Sequence, residues 1–266
     1  MSTLQSIGNY AIVNGINMYY EIHGSGYPLV LLHGGGSTIN TTFGRIIPVL
    51  AKAHQLIAVE LQAHGHTGDR DAPETFEQDA ADVVELLAQL NIPKANVFGF
   101  SNGGQTAMEL GIKYPEKVNK LIIASAFYKR DGVPAGFWDG FAGATLSSMP
   151  GIYQDEYLKI TNDPARLQNM FNKDVQRMYT FKDWTDDEIK SIHAPSLIVI
   201  GDQDLTLPEH AVEMHRLMAN SRLAILPGNH GSYMGEAMSP DTGSNMPLFF
   251  AAMISEFLNE PITKIK

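Results

Sequence analysis

The chain has 266 residues, which is long enough for one large α/β domain, or for one domain with an insertion, around a sizeable core. It carries 19 lysines and arginines against 29 aspartates and glutamates, so its formal net charge is −10. An acidic chain with no basic cluster is a poor candidate for binding nucleic acid or an anionic membrane. The lack of cysteine excludes disulfides, thiolate zinc sites and a cysteine nucleophile.

Short apolar runs alternate with helical patterns along most of the chain. Asn14-Gly15 between the first two runs is a strong hairpin signal, and the continuous apolar runs that follow are typical of buried parallel strands. The predicted strands are 10–13, 16–22, 28–32, 56–59, 95–98, 121–124, 197–200 and 223–226. The predicted helices are 43–53, 75–90, 104–110, 209–218 and 247–258. This alternation predicts a mostly parallel sheet with helices on both faces.

The alternation stops between residues 127 and 193. This segment is helical in pattern and rich in aromatic residues, and it contains both tryptophans of the chain. We therefore predict a core formed by residues 1–126 and 194–266, with residues 127–193 inserted as a helical cap over the sheet.

The pentapeptide Gly99-Phe100-Ser101-Asn102-Gly103 lies directly between a predicted strand and a predicted helix. A turn this tight holds its serine in a strained backbone conformation, and side chains two residues before and after it would collide. Glycine is needed at both positions for that reason. The pattern predicts a nucleophile elbow, in which the hydroxyl of Ser101 stands clear of the sheet.

A serine hydroxyl is a weak nucleophile near neutral pH, so it needs a base to take its proton and an acid to orient that base. Asp202 and Asp204 follow the strand that ends at Ile200, and His230 follows the strand that ends at Leu226. Sites in open α/β sheets lie at these carboxyl ends of the strands. The order serine, acid, histidine along the chain is the one that α/β hydrolases use.

With these motifs the chain resembles the α/β-hydrolase superfamily, in its esterase-like branch with a cap. Gly201-x-x-Asp204-x-x-x-Pro208 is similar to the acid loop of that family, and Pro227-Gly228-Asn229-His230 to its histidine loop. The resemblance implies that Ser101 is the nucleophile, Asp204 the orienting acid and His230 the general base. Asp202 is then a loop or capping residue.

The glycines that follow the strand 28–32 have a role implied by the same resemblance. In the family, one backbone N–H after the nucleophile and one in this loop form the oxyanion hole, which stabilises the charge that develops in acyl transfer. Carried over, these donors are the N–H groups of Asn102 and Gly35, with Gly36 as a competing candidate. His33 is expected to be a structural histidine bonded to backbone.

Glu60 to Thr67 resembles the family's next loop, D-x-x-G-x-G-x-S, with departures at Glu60, Ala63, His64 and Thr67. His64-x-His66 is half of a possible metal site, but no further histidine, cysteine or cluster of carboxylates completes it, so no metal is predicted.

The aromatic residues of the inserted segment either form the small core that a cap needs or line an apolar pocket. Gly36, Phe127 and Trp138 are predicted to contact substrate. The segment has no cluster of arginine or lysine, so a strongly anionic substrate is not expected.

These features predict a serine carboxylesterase that cleaves small to medium, uncharged esters and needs no cofactor. No apolar stretch reaches the roughly 18 residues that span a bilayer, and no signal peptide is recognisable, so we expect a cytoplasmic monomer or homodimer. A perhydrolase, lactonase, C–C bond hydrolase or hydroxynitrile lyase uses the same triad. A ligand-sensing protein with slow turnover is the alternative from another functional class.

Overall fold

The structure is a computed structural model that describes residues 8–240 and 243–261. Its eight strands form one sheet with the order β1-β2-β4-β3-β5-β6-β7-β8. The strands are β1 (Gly8–Val13), β2 (Ile16–His23), β3 (Pro28–Leu32), β4 (Gln55–Val59), β5 (Ala95–Phe100), β6 (Val118–Ala124), β7 (Ser196–Gln203) and β8 (Ser221–Asn229). β2 is antiparallel to both of its neighbours, and every other pair is parallel. The predicted hairpin joins β1 to β2, with positive φ at Asn14 and Gly15.

The central strands are buried on both faces, which explains their continuous apolar sequences. In β3, Val30 and Leu32 belong to the core on one face of the sheet, whereas Leu29 and Leu31 belong to the core on the other. Successive side chains of a strand point to opposite faces, so each strand contributes to both cores. This rigid double layer supports the loops at the carboxyl ends of the strands.

In the part of the chain that the structure describes, nine α-helices accompany the sheet. They are α1 (Ile39–Phe43), α2 (Ile47–Leu50), α3 (Phe76–Gln89), α4 (Asn102–Lys113), α5 (Gly151–Thr161), α6 (Pro164–Tyr179), α7 (Asp186–Lys190), α8 (Pro208–Leu217) and α9 (Met246–Asn259). Within the described ranges, no helix is both long enough and apolar enough to cross a membrane.

One predicted helix is wrong. Instead of a helix over 43–53, the chain forms the two short helices α1 and α2. Gly44 caps the end of α1, and Pro48 occupies the first turn of α2, where its missing N–H costs nothing. A glycine and a proline this close together divide the helical pattern.

The segment between β6 and β7, called the cap segment or cap below, contains α5, α6, α7 and three short 3-10 helices. α5 packs against α6, while α7 contacts α4 and α8 beside the sheet. An aromatic cluster packs against this segment, and its rings contact each other edge to face, stacked or tilted. Its members are Phe76, Phe127, Phe137, Trp138, Phe141, Phe181 and Trp184.

Candidate active site

Ser101 lies at the turn between β5 and α4, in the strained conformation that its neighbouring glycines predict. Its backbone angles are φ 52° and ψ −123°. A β carbon at Gly99 would overlap the carbonyl of Gly103, and one at Gly103 would overlap the carbonyls of Leu32 and His33. Both glycines are therefore required by the close approach of backbone atoms.

The loops after β7 and β8 bring the other two predicted residues to this serine. His230 Nε2 lies 3.1 Å from Ser101 Oγ, and His230 Nδ1 lies 2.7 Å from Asp204 Oδ1. The three side chains thus form a continuous series of hydrogen bonds. In this arrangement the ring can accept the serine proton while the carboxylate holds its opposite nitrogen.

Asp204 is itself held by groups that the sequence analysis did not identify. Its Oδ2 accepts hydrogen bonds from the hydroxyl of Ser125 at 2.5 Å and from the N–H of Gly201 at 3.0 Å. Tyr233 Oη lies 2.7 Å from the same Ser125 hydroxyl. Burial acts to raise the pKa of Asp204, but His230, Ser125 and Gly201 outweigh it and lower the pKa below its usual value. The acid therefore stays ionised.

Asp202 has a different task. Its carboxylate accepts a hydrogen bond from the N–H of Gly228 at 2.8 Å, and so links β7 to the loop that carries His230. The side chain is exposed and makes no hydrogen bond to His230 among the described contacts. This matches the loop role expected for Asp202.

The candidate oxyanion donors differ in whether their N–H groups already donate a hydrogen bond within the protein. No described residue accepts a hydrogen bond from the backbone N–H of Gly35 or of Asn102, and both residues line the cavity that contains Ser101. The N–H of Gly36, the competing candidate, donates to Asp174 Oδ2, and the same nitrogen lies 3.2 Å from His64 Nε2. Gly36 lines the cavity, but its N–H is not available to a substrate.

Asp174 comes from α6 and is the most consequential residue that the sequence analysis missed. Besides Gly36, it receives a hydrogen bond from Arg177 and lies 3.0 Å from His64 Nε2. Arg177 also contacts Asp79 at 2.8 Å and Glu74 at 3.7 Å. All five ionisable side chains of this group are buried, so they form one charge cluster, defined as Asp174, Arg177, His64, Glu74 and Asp79.

The two remaining histidines near the site are held by their own partners. His33 Nδ1 lies 2.8 Å from the carbonyl of Gly34, and His33 Nε2 accepts from the N–H of Leu61 at 3.0 Å. Burial lowers the pKa of His33 to about 3, so its ring is neutral. His66 pairs with Glu60 at 2.9 Å. The rings of His64 and His66 thus face different carboxylates.

A model of the α/β-hydrolase fold family matches residues 27–237, which is well over half of the chain. The chain belongs to the α/β-hydrolase fold family. The sheet order, the elbow and the placement of the three polar residues at strand ends agree with that membership.

Relatives of this hydrolase differ in what they act on. Human serine hydrolase BPHL is 29% identical over 240 residues, covering 84% of this chain and 79% of its own. The 2-hydroxymuconate semialdehyde hydrolase of Pseudomonas sp. strain CF600 is 31% identical over 277 residues, covering 96% of this chain and 94% of its own. The enol-lactonase from Burkholderia xenovorans LB400 has a similar crystal structure, with a TM-score of 0.73 at 21% identity over 95% of this chain and 100% of that one. The structural likeness shows the fold alone.

The hydrolase has a cavity of about 660 Å³ between the cap segment and the carboxyl ends of the strands, and Ser101 and His230 open into it. Its walls are mainly aromatic and methionine side chains: Phe100, Phe127, Phe137, Phe141, Phe171, Met149, Met170, Met178 and Met238. Of the described residues that line it, none is a lysine or an arginine. Two carboxyl groups, those of Asp174 and Glu236, reach its wall.

The predicted substrate contacts have different positions. Phe127 lines the cavity, whereas Trp138 is not among the described residues that do. The Trp138 ring stacks on Phe181, lies 3.9 Å beneath the guanidinium of Arg130 and donates its N–H to the Arg130 carbonyl at 2.8 Å. Trp138 therefore supports the cap from behind the cavity wall, which corrects its prediction as a substrate contact.

Glu236 and Tyr153 join the two sides of the cavity. The Tyr153 hydroxyl, on α5, donates to Glu236 Oε1 at 2.6 Å, and Glu236 Oε2 accepts from the N–H of Met238 at 2.8 Å. Burial raises the pKa of Glu236, although both hydrogen bonds act against that rise. This polar pair ties the cap to the loop that follows His230.

Proposed function

We propose that this hydrolase is a serine carboxylesterase acting on small to medium, uncharged carboxylic esters. The observation that carries the proposal is the hydrogen-bonded series Ser101–His230–Asp204 beside two backbone N–H groups that have no acceptor among the described residues. Acyl transfer requires a nucleophile, its base and free hydrogen-bond donors for the oxyanion within one cavity.

In the proposed mechanism, Ser101 Oγ attacks the ester carbonyl while His230 Nε2 takes its proton. The tetrahedral intermediate places its negative oxygen against the N–H groups of Gly35 and Asn102. His230 then gives the proton to the leaving alcohol, and an acyl-enzyme remains on Ser101. Water, activated by the same ring, releases the acid, and Asp204 stabilises the imidazolium in both half-reactions.

The cavity supports the choice of substrate. Its apolar wall favours hydrocarbon acyl or alcohol groups, and its volume of about 660 Å³ matches a small to medium ligand. A carboxylate on the substrate would lose its water in this cavity and would find no lysine or arginine among the described lining residues to pair with. Neutral esters avoid that desolvation cost.

The experiment is steady-state hydrolysis of p-nitrophenyl esters from acetate to decanoate, with Ser101→Ala beside the wild type. We expect rapid turnover by the wild type and a loss of about 10⁴-fold or more in kcat in the variant. The acyl chain with the highest kcat/KM then indicates how long a chain the cavity accepts. Turnover that survives in Ser101→Ala would exclude Ser101 as the nucleophile.

A second candidate is hydrolysis of a C–C bond or of a lactone, which the names of the relatives favour. The same purified protein should therefore be assayed with 2-hydroxymuconate semialdehyde and with a simple lactone. If either is turned over through Ser101 while the esters are not, the reaction is different but the triad is retained.

A further inference from the structure

A carboxylate lies beside the loop that provides one of the proposed oxyanion donors. Asp174 Oδ2 accepts the N–H of Gly36, one residue after Gly35. A β carbon at Gly35 would come within 3.3 Å of the same oxygen and would overlap the side-chain nitrogen of Asn102. Asp174 therefore contacts the glycine loop directly beside Gly35. This contact fixes the backbone there and so sets the direction of the Gly35 N–H.

A negative charge at this position should oppose the reaction, because the transition state develops its own negative charge nearby. Two members of the charge cluster, Arg177 and His64, offset the charge of Asp174. Arg177 bonds to one oxygen of Asp174, and His64 lies 3.0 Å from the other. Burial acts to lower the pKa of His64, but Asp174 outweighs it and raises the pKa to about 9, so the ring is a cation near neutral pH. Two cations thus flank the carboxylate.

We propose that Asp174 is a positioning residue for the oxyanion hole, which it serves by binding the N–H of Gly36 and leaving that of Gly35 free to face the substrate carbonyl. His64 and Arg177 cancel its charge, so the carboxylate holds the loop without repelling the oxyanion. The inference rests on the proposed function, since it assigns a role within that same acyl transfer. It also makes the cap a part of the catalytic apparatus, because α6 supplies both Asp174 and Arg177.

The chain offers a matched control for the loss of a buried ion pair. Asp79 on α3 is as deeply buried as the other members and bonds to Arg177 at 2.8 Å, but it makes no described contact with the glycine loop and does not line the cavity. Asp174→Ala, Asp174→Asn and Asp79→Asn therefore disturb the same cluster. Only the first two change the contacts with the Gly36 N–H and with Asn102 Nδ2, which lies 3.5 Å from Asp174 Oδ1. Asp174→Asn retains a carbonyl oxygen that can accept from Gly36.

Each variant is assayed for kcat and KM with the best p-nitrophenyl ester, for reaction with a fluorophosphonate followed by intact mass, and for inhibition by an alkyl boronic acid. Loss of one oxyanion donor costs about 10²–10³-fold in kcat, and a displaced donor should cost somewhat less. For Asp174→Ala we expect kcat to fall about 10–100-fold with KM little changed, and boronate affinity to weaken in parallel. Asp174→Asn should recover part of the rate.

Asp79→Asn should keep kcat and boronate affinity close to those of the wild type, even if its thermal stability falls. Equal losses in Asp174→Ala and Asp79→Asn, or an unchanged kcat in both Asp174 variants, would overturn the inference and leave the proposed function intact. If Asp174→Ala does not fold, Asp174→Leu, which also lacks an acceptor for the Gly36 N–H but fills more of the space, decides by the same comparison. A wild-type protein that neither hydrolyses the esters nor reacts with the fluorophosphonate would overturn both proposals.

Discussion

His64 carries its charge at a site from which water is excluded. Taking a cation out of water is costly unless an opposite charge and hydrogen bonds compensate it. Here Asp174 lies 3.0 Å from Nε2, and the Gln62 carbonyl lies 2.8 Å from Nδ1, so both ring nitrogens have acceptors. Glu74 adds a further attraction and Arg177 a repulsion. The protonated ring therefore stabilises the folded arrangement.

This arrangement predicts a pH dependence of stability. The pKa of His64 rises from 6.5 to about 9 on folding, so its contribution to the free energy of unfolding is complete below about pH 6.5 and is lost as the pH rises through 9. We expect His64→Gln to reduce that free energy by on the order of 2–3 kcal/mol at low pH and by little at about pH 10.

The measurement is urea unfolding of both proteins across this pH range. Burial raises the pKa of Glu74 to about 8, so both proteins should also carry Glu74→Gln to remove its titration. A difference between the two proteins that does not change with pH would show that His64 is not charged in the folded state.

The sequence could predict the site residues that lie in a recognisable local pattern, such as a glycine-flanked turn or the end of an apolar strand. Ser101 lies between two glycines that its turn requires, and Asp204 and His230 follow apolar strands. Asp174 has no such signal, because it lies within an amphipathic helix and meets Gly36 only when the cap folds over the sheet. Ser125 was missed in the same way, although its position directly after β6 at the carboxyl edge of the sheet was a usable indication.

The strand-to-helix turn between β5 and α4 fixes the reactive serine against its neighbouring strand. α4 begins at Asn102, and the backbone of β3 passes so close that position 103 has no room for a side chain. The turn therefore holds Ser101 through backbone packing.

Gly103→Ala should be costly for that reason. Its β carbon would overlap the carbonyl oxygens of Leu32 and His33, so α4 must move away from β3. Overpacking of this kind costs about 1–3 kcal/mol or more, and the shift would displace Ser101 from His230. We expect a lower midpoint in urea and a loss of most activity. Gly151→Ala, at the start of α5 where a β carbon meets open space, is the control and should leave both unchanged.

The strands were more predictable than the helices around them. All eight predicted strands lie within or overlap the eight observed ones, because continuous apolar runs in a parallel sheet have few alternative explanations. The region 43–53 failed because helical spacing of apolar residues persists across two separate helices that share one buried face. Gly44 and Pro48, which divide that stretch, are local signals that apolar spacing alone does not take into account.

The whole molecule is acidic, with a formal net charge of −10, and its cavity has carboxyl groups without a lysine or arginine among the described lining residues. An anionic substrate is therefore repelled on approach, and inside the cavity its charge would lose water without gaining a cation. The repulsion on approach is screened by salt, whereas the cost of desolvation inside the cavity is not.

This predicts a strong preference between two esters of similar length. We expect kcat/KM for mono-p-nitrophenyl succinate to be at least about 10-fold below that for p-nitrophenyl butyrate, since an unpaired charge is costly in a desolvated site. The methyl ester of the same succinate, which is neutral, is the control and should restore the rate. Equal rates for the charged and neutral succinates would mean that the charge remains in solvent.

The aromatic cluster beneath the cap gives the molecule a built-in optical probe. Both tryptophans belong to it: Trp138 stacks on Phe181 within the cap segment, and Trp184 donates its N–H to Glu109 of α4 where that segment rejoins the core. Fluorescence excited selectively at tryptophan therefore reports on the cap and on its junction with the core, and it receives no contribution from the sheet. Far-ultraviolet circular dichroism, by contrast, reports every helix and strand. If the two signals change at different denaturant concentrations, the cap and the sheet unfold as separate cooperative units.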